Sequence, residues 1–330
     1  AKIMSKIGRK AGFLYAAIFS SFSASLAAYA VWDKSFYLFC IACFFIGIGM
    51  SFTHQYRFAA AESVKKSFIP NALSIVMLAT IFSALLGPNI ANFNKDLING
   101  HLYVGSYLSL SVLTFIPVIF LSFYSPKVEP MSTREHKGRS YLELISQPRF
   151  LQATASAAFA YAVMSFLMTA TPINMHVMEN YSLNKTAVVI QLHIISMFLP
   201  SLITGILVKK FGHSKIIYAG VGFFILTILL SFFEPSFFNY LFALVFLGIG
   251  WNFLYLSGTG LLVISYREKE KYKAQGFNDI LVFSIQALAS LSAGYMLSIT
   301  SWKTMNLIAV PFLIVIILCS IRADISKTDK

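Results

Sequence analysis

Long apolar runs broken by short polar intervals dominate the chain, and the length of the runs predicts the elements. Ten of them reach span length: 12–31, 36–60, 72–91, 103–124, 150–173, 187–208, 216–233, 240–265, 280–298 and 306–321. A bilayer core is crossed by a helix of about 20 apolar residues. The runs are apolar on nearly every face and lack the alternation of barrel strands. Backbone groups in hydrocarbon need partners within their own segment, so each run predicts a helix. The expected fold class is therefore all-α, a polytopic membrane protein.

Composition agrees with the pattern. Hydrophobic residues make up 57% of the 330, charged residues 12%, and the mean hydropathy is +0.72, against about 25% charged residues in soluble domains. The formal charge of +13 raises the question of nucleic acid, but the basic residues sit in loops between apolar runs. With the first residues cytoplasmic, 21 Lys and Arg fall on inside segments, four (Lys34, Lys95, Lys185, Lys303) fall outside, and Arg57 lies within a run. This asymmetry is the positive-inside pattern, so both ends of the chain are expected in the cytoplasm of a cell with this protein in its inner membrane. No nucleic-acid partner is implied. Cys40, Cys43 and Cys319 fall in apolar runs and are expected to be small buried hydrophobes.

The only long polar interval, 125–149, carries both signs of charge and the prolines Pro126, Pro130 and Pro148. It is expected to link a four-helix bundle (1–124) to a six-helix bundle (150–330), with 141–145 as a short interfacial helix. The two parts align. Residues 1–11 (AKIMSKIGRKA) match the basic turn 205–215 (GILVKKFGHSK) when Gly8 is set on Gly212. Residues 45–52 (FIGIGMSF) match 247–253 (LGIGWNF), Gly47 and Gly49 falling on Gly248 and Gly250, and Gly87 falls on Gly294. The offsets of 204, 201 and 207 are near-constant, as an internal duplication requires. Two spans precede the basic turn in the second part and none in the first, so a parent plan of twelve spans, with its first two absent from this sequence, is expected.

The two basic turns resemble the G-x-x-x-D-R-x-G-R-R signature of the major facilitator superfamily, found after the second and eighth helices. Gly8-Arg9-Lys10 matches the end of that signature; Ala1 replaces its leading glycine, Ser5 its acid, and Lys209-Lys210 stands in place of Asp-Arg. Gly87-Pro88 resembles the glycine-proline of the family's fifth-helix motif. The resemblance covers essentially the whole chain. It implies two bundles around a central cavity, a small-molecule solute with protons or another ion as the coupling partner, lipid as the surroundings, and a monomer. It also implies that Gly8, Arg9, Lys10, Gly205, Gly212 and Lys215 belong to loops that latch a cytoplasmic gate. The strings 55–62 (QYRFAAAE), 250–260 (GWNFLYLSGTG) and 273–279 (KAQGFND) are similar to those of a group of bacterial facilitator permeases, which hints at a vitamin-type (riboflavin) solute.

Polar groups inside spans are costly and mark candidate sites. His54, Gln55 and Arg57 cluster on the second run, with Glu62 a turn later. Arg57 either binds an anionic solute or reaches the interface and pairs with Glu62. Gln191 and His193 lie in the sixth run, and His193, like His54, either titrates with transport or is hydrogen-bonded between helices. Trp251, Asn252 and Gln286 complete the expected cavity residues, an amide in a bundle more often bonding a neighbouring helix. The paired glycines 47, 49, 248 and 250 are expected to permit close helix packing. No acid lies in mid-run, and no P-loop, HExxH, CxxC or GxSxG string is present, so no cofactor, metal or catalytic residue is expected. The expected function is secondary active transport of a small organic solute by alternating access between the bundles. A non-transporting remnant of that fold and a membrane-embedded enzyme are the alternatives; the enzyme requires clustered acids or histidines at one face, which the sequence lacks.

Overall fold

The computed structural model describes residues 2–125 and 138–328. Most of the linker expected at 125–149, with Pro126, Lys127, Pro130, Arg134 and Lys137, lies outside the described residues, as does Ala1. The described chain is helical: α1 (Lys2–Ile7), α2 (Arg9–Trp32), α3 (Phe36–Thr53), α4 (Tyr56–Glu62), α5 (Ile69–Phe93), α6 (Val104–Ser122), α7 (Tyr141–Ile145), α8 (Pro148–Ile173), α9 (Leu183–Phe198), α10 (Ser201–Phe211), α11 (His213–Leu230), α12 (Phe237–Ser265), α13 (Lys271–Ile299), α14 (Trp302–Ile308) and α15 (Val310–Thr328). Among the described residues ten helical segments are long and apolar enough to cross a membrane, α3–α4, α9–α10 and α14–α15 each joining in one crossing. The expected fold class holds.

Local chemistry sets the helix ends. Ser35, Ser182, Ser236 and Ser301 each accept a hydrogen bond from the backbone N–H three residues on, at 3.4, 3.3, 3.2 and 3.2 Å, satisfying an otherwise orphaned donor at the start of a span. Pro148 occupies the first turn of α8, where its missing N–H costs nothing. Pro200 breaks the sixth run between α9 and α10 because it cannot donate to the preceding turn. The second run breaks without proline: the Gln55 N–H turns to the Phe52 carbonyl at 2.9 Å, a tightened turn that separates α3 from α4. Residues 271–279, expected as loop, instead form the first turns of α13. Lys, Ala and Gln are strong helix formers, and apolar length alone does not detect a helix continuing into the polar zone.

The chain divides into two compact units, Ala1–Ser63 with Phe82–His136, and Val64–Ile81 with Lys137–Lys330. In the first, α2 packs along α3 and α6. Ser21, Ser25 and Ser111 zip α2 to α6, the Ser111 hydroxyl lying 3.0 Å from that of Ser21 and 2.8 Å from that of Ser25. Such small polar residues let helix backbones approach in a medium where burial of apolar surface gives little drive. In the second unit α8 and α12 are the buried pair, α8 packing also on α13 and α15 and α12 also on α9 and α11. A Cβ on Gly258 would lie 2.8 Å from the Ala153 carbonyl oxygen and 3.2 Å from the Ala157 nitrogen, so α8 and α12 meet backbone to backbone there.

The glycine pairs divide. Gly49 packs on Ser20, Gly248 on the 193–197 backbone, and Gly250 on Phe224 and the Gly220 carbonyl, whereas a Cβ on Gly47 would meet nothing within 4 Å. Gly47 therefore corrects the packing expectation. Cys40 and Cys43 also correct theirs: both are exposed on α3. In a membrane protein an apolar residue has a second favourable environment, the lipid, so an apolar run does not by itself predict protein burial.

Candidate functional site

α12 enters the core of the second unit as the string Gly250-Trp251-Asn252-Phe253-Leu254-Tyr255. Trp251 and Tyr255 are one helical turn apart, share a face, and stack with ring centroids 5.0 Å apart. Tyr161 of α8 meets both edge-on, at 5.1 and 4.8 Å. Phe198, the last residue of α9, meets Trp251 at 5.7 Å, and Phe283 of α13 meets Tyr161 at 5.8 Å. Four helices thus each contribute to one aromatic cluster. Trp251 and Tyr255 are buried; Tyr161, Phe198 and Phe283 are half-buried and form its more accessible edge. The Trp251 indole N–H is only 1% exposed as part of its residue and has no hydrogen-bond partner in the structure. A buried tryptophan usually finds an acceptor. The arrangement offers aromatic faces and edges with one unmatched donor, chemistry suited to a flat heteroaromatic group carrying acceptors.

Asn252, beside Trp251, is fully committed. Its amide donates to the Met197 carbonyl and to the Ser201 hydroxyl, both at 2.7 Å, and its oxygen accepts from the Thr204 hydroxyl at 2.8 Å. These bonds stitch the break that Pro200 makes between α9 and α10. His193, completely buried on α9, makes a 2.7 Å hydrogen bond from Nδ1 to the Leu244 carbonyl of α12. Gln191 is exposed on α9 and Gln286 is half-buried on α13.

In the first unit His54 and Gln55 sit at the break between α3 and α4, Gln55 buried and His54 half-buried. Arg57, in the first turn of α4, is buried with its guanidinium 4.6 Å from the Phe58 ring centroid. Glu62 takes a two-pronged contact from Arg9, whose Nε and Nη2 donate at 3.0 and 2.6 Å. Arg9 belongs to the basic turn, so the fork ties the start of α2 to the end of α4. Gly8 and Gly212 have nearly the same backbone, φ 81° and ψ 163° against φ 85° and ψ 159°. The two turns share a conformation that glycine alone adopts readily. Lys10 is half-buried and Lys215 exposed. Gly205, in α10, fits against Pro70 and Ser74, a Cβ there lying 2.6 Å from the Ser74 hydroxyl and 3.0 Å from the Pro70 carbonyl oxygen.

Several groupings were not expected. Tyr161, Phe198, Tyr255 and Phe283 do not stand out among the 32 Phe, 16 Tyr and 3 Trp of the chain; the usable signal is the one-turn spacing of Trp251 and Tyr255 on a glycine-rich run. A polar knot joins α8, α11 and α15: Arg149 contacts Asp324 at 2.9 Å, Gln152 at 2.8 Å and Ser214 at 2.9 Å, while Ser214 and Tyr218 donate to Asp324 at 2.8 and 3.2 Å. Glu270, nearly fully buried, accepts from the Arg139 backbone at 2.8 Å and from its guanidinium at 2.9 and 2.5 Å. That carboxylate holds the Arg139 guanidinium above its ordinary value. A separate cavity of about 590 Å³ lies wholly among first-unit residues, lined by Val31, Phe39, Gly87, Tyr103 and Tyr107 among others. It contains none of the expected cavity residues.

The sequence matches the family model of the Major Facilitator Superfamily over residues 1–263 and 189–329. It is 32% identical over 317 residues to the riboflavin transporter RfnT of Brucella anthropi, which covers 95% of this chain and 79% of that protein. It is 25% identical over 320 residues to the uncharacterized MFS-type transporter YddS of Bacillus subtilis, covering 92% of this chain and 73% of that one. Among solved structures, the Major Facilitator Superfamily transporter FucP in its outward conformation superposes with a TM-score of 0.76 at 15% identity, covering 96% of this chain and 83% of that chain. A bacterial homologue of ferroportin in an outward-facing state gives 0.64 at 13% identity, covering 99% and 87%. At these identities the structures show the fold alone. The relatives and fold neighbours are transporters rather than enzymes, and with ten apolar helices among the described residues the chain is a multi-pass membrane protein.

Proposed function

Because the chain belongs to the Major Facilitator Superfamily, we propose that it is a secondary transporter of a flat heteroaromatic solute of the riboflavin type, working by alternating access in the cell membrane. The observation that carries the solute class is the aromatic cluster around Trp251, with its buried and unmatched indole N–H. A flavin ring system has extended π faces and edge oxygens and nitrogens that accept hydrogen bonds. Tyr161, Phe198 and Phe283 supply faces and edges, and Trp251 supplies a donor. The 32% identity to a riboflavin transporter over 95% of the chain supports the same reading.

His54, Gln55 and Arg57 are proposed as solute contacts of the first unit, and Gln191, His193, Trp251 and Gln286 as those of the second. Asn252 is proposed to act by holding the α9–α10 break that places Phe198. The loops of Gly8, Arg9, Lys10 and Gly212, Lys215, with Gly205, are proposed as gate latches. The excess of Lys and Arg on one set of loops supports cytoplasmic ends.

The test is growth rescue and uptake of labelled riboflavin in bacterial cells that can neither make nor import it. Wild-type protein is expected to rescue growth at low external riboflavin. Trp251→Phe keeps the aromatic volume and removes the donor; one lost hydrogen bond of about 1 kcal/mol predicts roughly a five-fold weaker apparent affinity. Trp251→Ala is expected to abolish uptake. Uptake at the vector-only level, with the wild-type protein present in the membrane, would reject riboflavin as the solute.

A further inference from the structure

The geometry points to His193 as a proton-binding site that couples the position of α9 to protonation. This deepens the proposed transport reading by naming its coupling group. The backbone creates the site. At Gly248 the chains of α9 and α12 touch, a Cβ there lying 2.9 Å from both the His193 carbonyl oxygen and the Met197 nitrogen. That approach lets the His193 ring reach the Leu244 carbonyl at 2.7 Å. A carbonyl accepts only, so Nδ1 carries the hydrogen and Nε2 is left with a lone pair. Nε2 has no hydrogen-bond partner in the structure, and the residue is 0% exposed.

The surroundings do not accommodate a cation. No carboxylate lies on α8, the following turn Asn174–Met178, α9 or α12, the elements packed with His193. Their titratable and charged groups are already engaged. Arg149 is on Asp324, Tyr240 on Asn174, and His176 on the Tyr181 carbonyl; Lys185 lies over the Tyr181 ring, and Tyr161 and Tyr255 are in the aromatic cluster. A proton taken from water onto Nε2 produces an imidazolium with two N–H groups, one of them unsatisfied in a dry, apolar contact. Burying such a charge unpaired is strongly unfavourable. Protonation therefore favours a state in which the α9–α12 contact has opened and water reaches the ring. α9 can respond separately from α10 because the chain is broken at Pro200. Since Phe198 ends α9 and touches Trp251, the same movement alters the aromatic cluster. Proton binding and solute binding then act on one element.

The experiment reads the site without any solute. Hydrogen exchange is followed by mass spectrometry on the full chain in lipid nanodiscs, between about pH 8 and about pH 5, the range in which histidine changes charge. After correction for intrinsic exchange rates, amides of α9 are expected to exchange several-fold faster at the acidic end in wild type. His193→Asn, which keeps a donor near the Nδ1 position and does not titrate, is expected to abolish that response, and His193→Gln serves as the second variant. His54→Asn is expected to leave it unchanged. A wild-type α9 whose exchange does not change with pH overturns the proposal whatever the variants do, as does an undiminished response in His193→Asn. Riboflavin uptake under an inward proton gradient is measured in parallel. Uptake absent with the exchange response intact rejects riboflavin as the solute and leaves the proton site standing; uptake present with no exchange response rejects the proton site alone.

Discussion

At the scale of single residues, this protein is governed by where backbones touch. Gly248 and Gly47 look equivalent in the sequence, each the first glycine of a G-I-G string, yet only Gly248 faces another helix backbone. Gly248→Ala is expected to lower stability by about 1–3 kcal/mol, the usual range for overpacking, while Gly47→Ala is expected to be nearly neutral. Thermal unfolding of the two purified variants in one detergent checks the contrast; equal losses would contradict it. Asn252 shows the converse, a residue whose polarity was legible but whose task was not. Sequence marks a buried amide inside a span, which narrows the choice to solute or helix. The three bonds to Met197, Ser201 and Thr204 decide it, and nothing local to Asn252 reveals that the helix breaks at Pro200, 52 positions away. Asn252→Leu is expected to cost about 1–2 kcal/mol, since polar contacts between membrane helices are modest, and to speed proteolysis near residues 199–200.

At the scale of elements, apolar length was a sound guide to where spans exist and a poor one to where they start, stop or break. The serines that begin four spans carry the start signal in their own side chains, whereas α13 begins nine residues before its apolar run because lysine, alanine and glutamine continue the helix. The short helix α7 was legible at its full extent, 141–145, and its structure supplies the reason. Ser140 accepts from the Glu143 N–H at 3.1 Å and the Glu143 carboxylate accepts in return from the Ser140 N–H, a reciprocal cap. The hydrogen bonds from Ser140 hold the Glu143 carboxyl below its ordinary value. A lowered carboxyl stabilises the fold at pH above the ordinary carboxylate value and loses that contribution as the pH falls through the folded value. Exchange protection of α7 is therefore expected to be constant above about pH 5 and to fall below about pH 4. Glu143→Gln is expected to flatten that profile, and an unchanged profile in the variant would remove the cap as its cause.

At the scale of the whole molecule, the repeat seen in sequence reappears as conformation. Gly8 and Gly212, 204 positions apart, differ by only a few degrees in φ and ψ. Gly49 packs on Ser20 of α2 as Gly250 packs on Phe224 of α11, the same pairing one repeat later. The side chains have diverged: Arg9 forks onto Glu62, while His213 at the matching position packs its ring against Gly260. Backbone placement at these glycines predicts that Gly8→Ala and Gly212→Ala each cost about 1–3 kcal/mol, and a clear inequality in their unfolding temperatures would argue against a shared turn. The ten spans found among the described residues were legible because hydrocarbon thickness acts locally, and the shared basic turn because glycine geometry does. The aromatic cluster was not, because Tyr161, Phe198, Trp251 and Phe283 come from four helices and only packing brings them together.

Recognition and passage of a flavin-type solute are read together by counterflow of labelled riboflavin with the purified chain in proteoliposomes preloaded with unlabelled riboflavin, which needs no driving gradient. Transient, saturable accumulation of label is expected with the wild-type protein and none with Trp251→Ala. No counterflow by well-folded, membrane-inserted wild-type protein would contradict the assignment of a flavin-type solute to this site.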